Sequence, residues 1–231
     1  MRERVFNIYL KEHAEITSGA FKGLKVLDSS SPCHFTFLHL LGTYEPHVQD
    51  LISKHIKGSK RFVDIGCASG YFSVGIPYKY NIPSIGFDVD REQIEYADRL
   101  ADINNLSHLV DHIPVGFDHS YNDVFKDSDF CLIDIEGSEV DFIRNIDIST
   151  LSGVKILFEL HDTSDLDIEG VKGLLIKNLE HTHNHIVSKE VVKIDFNEFD
   201  EVKNLTRNDY IYFSGDLRDI HQEWILFTPK K

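Results

Sequence analysis

Val63-Asp64-Ile65-Gly66-Cys67-Ala68-Ser69-Gly70-Tyr71-Phe72-Ser73 decides how the chain reads. A short apolar run, Arg61 to Ile65, feeds a turn of small residues, and a helix is expected to start near Gly70. Such a turn lets backbone N–H groups approach a ligand at a helix N-terminus. The next apolar run, Ser84 to Phe87, ends at Asp88, 22 residues beyond Gly66. A carboxylate placed there can accept hydrogen bonds from the two hydroxyls of a ribose.

Working outward, strands and helices keep alternating. Upstream, Glu45-Pro46 followed by Val48, Leu51, Ile52 and Ile56 predicts an amphipathic helix with Pro in its first turn and Gly58 at its end. Pro77 is expected to kink the helix after Gly70 or to end it early. Asp90 reads as an N-cap with Gln93 three residues on, opening a helix that buries Ile94, Ala97 and Ala101. Further strands are expected at Leu109–Val115, Phe130–Ile133, Val154–Leu160, Ile186–Ile194 and Trp224–Thr228, with another at Tyr210–Phe213. Helices are expected at Glu139–Ile146 and Ile168–Leu179. The strands are apolar runs rather than alternations, so both of their faces are covered, and the fold class is α/β with a doubly wound parallel sheet. Residues 1–43 form an N-terminal extension, with a short helix suggested by Val5, Ile8 and Tyr9 and a loop at Ser29–Pro32.

Two cofactor classes use a glycine loop with a distal acid. A dinucleotide site wants G-x-G-x-x-G, but here those positions hold Gly66, Ala68 and Tyr71, and the bulky third residue hinders close packing on a pyrophosphate. The S-adenosylmethionine methyltransferases instead use acid-x-Gly-x-x-x-Gly, in which the acid lies near the cationic amino group of the methionine moiety. Asp64-Ile65-Gly66 followed by Gly70 fits that second pattern.

The run from Asp64 to Ser73, preceded by Tyr44-Glu45-Pro46, resembles the FkbM-type methyltransferases. So does Leu132-Ile133-Asp134-Ile135-Glu136-Gly137-Ser138-Glu139, followed by Leu157-Phe158-Glu159-Leu160-His161. The likeness spans roughly residues 42 to 180. It implies a Rossmann-like class I methyltransferase sheet of seven strands, mostly parallel with an antiparallel C-terminal strand and helices on both faces, occupying residues 44–231. It also implies S-adenosyl-L-methionine as donor and a hydroxyl on a sugar, glycan or other small metabolite as acceptor. The cofactor set it gives is Tyr44, Glu45, Asp64, Gly66, Cys67, Ala68, Gly70, Tyr71, Phe72, Asp88, Val89 and Asp134. Asp64, Gly66, Ala68 and Gly70 line the methionine end, Asp88 meets the ribose, and Tyr44 and Glu45 close over the donor. The sequence departs from the usual pattern in Cys67-Ala68-Ser69 and in Pro77.

The donor is already activated, so the protein mainly aligns reactants and removes the proton of an alcohol. Asp134 stands at the mouth of the fourth strand, and Glu159, His161 and Asp162 cap the fifth. Asp134, His161 and Glu159 are the candidate catalytic residues, with His161 or Asp134 as general base. In the alternative, a divalent cation held by Asp134 with Glu159 or Asp162 lowers the alcohol's pKa; this is not favoured, and no metal set is assigned. A non-catalytic donor-binding module is the other alternative. Glu136 and Glu139 also read as helix N-terminal acids that complement the macrodipole. The tract His181-Thr182-His183-Asn184-His185 joins a helix to a strand on the face opposite the site and reads as a solvated loop.

The net charge of −14 argues against nucleic acid and anionic membranes as partners, because both require a basic surface. Eleven of those negative charges fall between Asp118 and Glu169, where 14 acids face three bases. That segment suits a solvated acidic face, or a site for a cation or a hydroxyl-rich molecule. No stretch reaches the ~18–20 apolar residues needed to span a bilayer, and the N-terminus lacks the pattern of a signal peptide. Three widely spaced cysteines, Cys33, Cys67 and Cys131, fit a reduced, cytoplasmic setting and the role of small buried fillers.

Overall fold

The computed structural model describes residues 15–27, 37–116, 124–126, 129–189 and 223–230. The elements suggested at Val5–Tyr9, Ser29–Pro32 and Tyr210–Phe213, and Cys33, lie outside them. Seven strands form one sheet: β1 (Arg61–Ile65), β2 (Ser84–Phe87), β3 (Val110–Ile113), β4 (Asp129–Ile133), β5 (Lys155–Leu160), β6 (His183–Lys189) and β7 (Glu223–Pro229). Their order is β3-β2-β1-β4-β5-β7-β6. Strands β1 to β5 pair in parallel, while β7 runs antiparallel to both β5 and β6. The helices are α1 (Phe37–Leu41), α2 (Pro46–His55), α3 (Tyr71–Tyr80), α4 (Arg91–Ile103), α5 (Glu139–Asn145) and α6 (Ile168–Leu179).

Alternate residues of the central strands β1, β4, β5 and β7 enter two separate cores. Phe62, Phe130, Leu132, Leu157, Trp224 and Leu226 pack with α2, α3 and α4 on one face. Val63, Cys131, Ile133, Phe158 and Phe227 pack with α5 and α6 on the other. These strands are therefore covered on both sides, the physical reason they lack polar alternation, whereas the edge strand β6 is exposed along most of its length. Two positions break the apolar rule inside central strands. Asp64 and Glu159 are both 2% exposed, and parity puts both on the α2–α3 face. A carboxylate in a dry strand costs several kcal/mol unless something compensates it, so these two mark the site rather than the core.

The segment 15–27 docks on that same face. Ile16, Phe21, Leu24 and Val26 join its core, and the Ala20 N–H donates to Gln49 Oε1 at 2.9 Å. The two described cysteines, Cys67 and Cys131, are buried and free.

Three sequence expectations need correction. Pro77 does not end its helix: α3 runs on to Tyr80. Proline removes the N–H that would bond the Ser73 carbonyl, and the Ser84 hydroxyl donates to that carbonyl instead. Ser84→Ala should therefore cost about 1–3 kcal/mol in urea denaturation, the penalty of an orphaned buried acceptor, and less in a Pro77→Ala background, where a backbone N–H is restored. The third strand is shorter than expected at both ends. The sixth begins at His183, three residues early, so His183-Asn184-His185 of the histidine tract belong to the strand rather than to a loop. His183 is 1% exposed, with Nε2 2.9 Å from the Val154 carbonyl.

Candidate active site

The turn of sheet order lies at β1 and β4, whose carboxyl ends sit side by side. The Asp134 N–H donates to the Ile65 carbonyl at 2.9 Å. A side chain at Gly66, whose φ is +88°, would place its Cβ 1.7 Å from the Asp134 carbonyl oxygen. Gly70 opens α3 with φ +86°, and its bare Cα lets the helix settle on Ala97, 2.7 Å from where a Cβ would stand. Between them the loop bends over the sheet edge. The Gly66 and Cys67 N–H groups donate to the Phe87 carbonyl at 2.9 and 3.0 Å.

A cleft opens above this loop. It is lined by Tyr44, Glu45, Asp64, Gly66, Cys67, Ala68, Tyr71, Phe72 and Asp134 from the expected set, and by His39, Ser69, Leu132 and Trp224, which sequence reasoning did not include. Trp224, expected as buried strand, is 0% exposed yet forms part of this wall. Gly70, Asp88 and Val89 are not in that lining. Asp88 instead latches the loop: Oδ2 accepts from the Ala68 N–H and Oδ1 from the Asp90 N–H, both at 2.8 Å. Val89 is 77% exposed beside it.

One wall is aromatic. The His39 and Tyr44 rings stack with centroids 3.8 Å apart. Tyr71 meets both edge-on, at 4.7 and 5.4 Å. Gln49, one turn into α2, donates Nε2–H to the Tyr71 hydroxyl at 3.1 Å and to the Tyr44 carbonyl at 2.6 Å, fixing both tyrosines. Burial holds His39 neutral, with its pKa lowered to about 3.

The opposite wall is acidic. Asp64 Oδ2 has no hydrogen-bond partner among the described residues. Burial first, then the nearby Asp134 and Asp88 charges, push its pKa well up, against a backbone hydrogen bond from Ser73. Asp134 is raised too, by burial, with Glu159 and His161 opposing. Register explains their meeting: Ile133 pairs with Phe158, so Asp134 and Glu159 follow as neighbours, and Glu159 faces Trp224 across β5 and β7.

His161 stands at the end of β5. Its Nδ1 donates to Glu139 Oε1 at 2.9 Å. Glu139 is fully buried at the first turn of α5, where Oε1 also accepts from the Ile135 and Gly137 N–H groups at 3.4 and 3.3 Å. Because the carboxylate accepts, Nδ1 carries the proton and Nε2 presents its lone pair. That Nε2 has no hydrogen-bond partner among the described residues. It lies 3.5 Å from Glu136, 3.7 Å from Glu159 and 3.8 Å from Asp134. Burial alone would lower the His161 pKa, but the Glu139 hydrogen bond and the surrounding carboxylates raise it overall. Glu139 is thus more than a macrodipole acid. Its sequence signals were its place in the run after β4 and at a helix start, and neither pointed to His161. Among the described residues, two carboxylate-rich groups have their ligand atoms within 4.8 Å of one another: Asp134, Glu136 and His161; and Glu45, Asp134 and Glu159. Asp162 turns away, its Oδ1 accepting from the Ile168 N–H at 2.8 Å.

Among the described residues no helix is long and apolar enough to cross a membrane. No family model and no curated protein matches the chain. Solved structures do resemble it. The N-terminal domain of human METTL16 in complex with SAH aligns at TM-score 0.54 with 17% identity, over 98% of this chain and 80% of that one. An O-methyltransferase from Bacillus cereus in complex with SAH aligns at 0.53 with 13% identity, over 99% and 90%. A putative rRNA-methylase from Clostridium thermocellum aligns at 0.53 with 14% identity, over 80% and 94%. Together with the strand order, the single antiparallel β7 and helices on both faces, these likenesses show that the chain has the class I methyltransferase fold.

Proposed function

We propose that the chain is an S-adenosyl-L-methionine-dependent O-methyltransferase of the FkbM type, acting on a hydroxyl of a sugar, glycan or other small metabolite. The observation that carries this reading is a glycine loop and a buried acid with one unpartnered oxygen, Asp64 Oδ2, at one cleft, with an oriented histidine 3.8 Å from Asp134, which lines that cleft. The residues fit the donor. Gly66 lets the loop pass directly against the Asp134 backbone, and Asp64, with Oδ2 unpartnered among the described residues, lines the cleft as a group able to meet an amino group. When bound, the donor supplies an electrophilic methyl.

The chain's residues do the rest. Asp64 holds the cationic end, Tyr44 and Tyr71 wall the cleft, and Asp88 keeps the loop in place while each of its oxygens retains a lone pair for a ribose hydroxyl. His161 Nε2 accepts the acceptor's proton, and Glu139 keeps the imidazole in the tautomer that can do so. Asp134 and Glu159 position the hydroxyl. A phosphate backbone would meet Glu45, Asp64 and Asp134 with no Lys or Arg in the lining, which supports a neutral acceptor over nucleic acid.

Calorimetry with S-adenosylhomocysteine tests the donor half. Asp88→Ala should weaken binding about tenfold or more, because both the loop latch and the ribose contact are lost; an unchanged dissociation constant removes Asp88 from the site. Turnover of labelled donor against a panel of sugars tests the acceptor half.

A further inference from the structure

Ser73, in the first turn of α3, is held at three atoms. Its N–H donates to the Asp64 carboxylate, its carbonyl accepts from the Ser84 hydroxyl, and its own hydroxyl lies 3.0 Å from His112 Nε2. His112, on β3, places Nδ1 2.8 Å from Asp98 Oδ1 on α4. Because the carboxylate accepts, Nδ1 carries the proton of the neutral ring, and Nε2 accepts from the Ser73 hydroxyl. One run of hydrogen bonds therefore leads from an acid at the surface to the buried acid of the cleft. The Asp98 side chain is 60% exposed and that of His112 0%.

Gly86, on β2, makes room for the imidazole. A Cβ there would stand 2.7 Å from His112 Cδ2 and 2.9 Å from Cys67 Sγ, so the ring packs close beside the glycine loop. Acid, imidazole and hydroxyl in this order also activate nucleophiles. Here the hydroxyl belongs to a residue with 0% exposure, so no substrate reaches it and the array acts on its own neighbours. The groups facing the imidazole are Asp98 from α4, Asp111 from β3, the Ser73 hydroxyl from α3 and Cys67, whose thiol is kept neutral by burial. The two acids favour imidazolium, but burial outweighs them and holds His112 below the ordinary histidine range.

We propose that Asp98, His112 and Ser73 are positioning residues for the donor site: the relay holds the Ser73 N–H on Asp64, and it does so only while His112 is neutral. Imidazolium turns Nε2 from acceptor to donor, and the Ser73 hydroxyl proton then loses its partner. The effect on donor affinity rests on the proposed donor; the hold on Asp64 does not.

Nuclear magnetic resonance and calorimetry on the full chain test this with two variants at the exposed end of the relay. Asp98→Asn and Asp98→Ala delete the same charge, but only alanine removes the acceptor of the Nδ1 proton. Carboxyl-carbon resonances should show Asp64 titrating at higher pH in Asp98→Ala than in Asp98→Asn, since a loosened Ser73 N–H favours the carboxylate less. S-adenosylhomocysteine should bind Asp98→Ala about threefold or more weakly than Asp98→Asn, and adding Ser73→Ala to Asp98→Ala should cost little more, as for links of one chain. By linkage, a donor that needs neutral His112 lowers the His112 pKa when it binds. Long-range nitrogen–proton spectra should show that drop in the wild type and a smaller one in Ser73→Ala, where the ligand's charge acts without the hydrogen bond. Equal Asp64 titrations in the two Asp98 variants overturn the inference, whatever happens to stability. So does a His112 drop that is absent, or that Ser73→Ala leaves unchanged. The Asp98 pair decides alone should Ser73→Ala not fold. If S-adenosylhomocysteine binds no form of the chain, the proposed donor falls, and the Asp64 titrations decide the relay.

Discussion

Among the described glycines, Gly66→Ala brings a methyl group closest to the backbone and should be strongly damaging. Alanine at φ +88° carries the left-handed strain of ~1–2 kcal/mol. Its Cβ would also stand 1.7 Å from the Asp134 carbonyl oxygen, a backbone atom that cannot swing aside. Relief requires the ends of β1 and β4 to part, breaking the 2.9 Å bond from the Asp134 N–H to the Ile65 carbonyl. We expect a loss of about 3–5 kcal/mol in urea denaturation, at the upper end of single-residue effects, and loss of S-adenosylhomocysteine binding. Gly58 supplies the control. Its φ is +82°, but nothing lies within 4 Å of the point a Cβ would occupy, so Gly58→Ala should show the conformational strain alone, ~1–2 kcal/mol. The difference between the two variants measures how tightly the strand ends are held together. Equal effects from the two would mean that the close approach of β1 and β4 is not what the glycine protects.

That close approach was legible in the sequence only in part. The short apolar runs bracketed by Gly66, Asp88 and Asp134 announced where strands end, and β1, β2 and α6 fall at the expected residues, because hydrophobic period and punctuation agree there. What the linear pattern does not carry is partnership across distance. Ser84 compensates Pro77 from the next strand, so the proline alone read as a break. Phe21 packs edge-on against Tyr71, 5.0 Å between centroids, although fifty positions separate them. Gln49 carries no signal of its own on α2, yet its amide bridges Ala20, Tyr44 and Tyr71. Asp88 was placed for a ribose, and its bond to the Ala68 amide needed the loop's actual bend. Glu139 and His161 are each visible in the sequence, but only the β4–β5 adjacency makes them a pair.

Removing His161 should separate chemistry from binding. His161 is absent from the lining of the cleft that holds the glycine loop, so His161→Ala should leave S-adenosylhomocysteine affinity within a few-fold while kcat falls about 10²–10⁴-fold, the usual worth of a general base. The pH profile carries the sharper evidence. Imidazolium has no lone pair at Nε2, so activity falls as pH drops through the His161 pKa. Burial works to lower that pKa, but the Glu139 hydrogen bond and the Asp134 and Glu136 charges raise it, and the acid limb should lie above that of an ordinary histidine. Glu139→Gln keeps a hydrogen-bond acceptor of the same shape and deletes the charge. The limb should then move to lower pH, and long-range nitrogen–proton NMR should show the His161 titration moving with it. A purely structural Glu139 would change stability without moving either curve. An acid limb unmoved by Glu139→Gln, with kcat intact in His161→Ala, would transfer the base role to Asp134, whose own raised pKa and unpartnered Oδ1 leave it the next group able to take a proton.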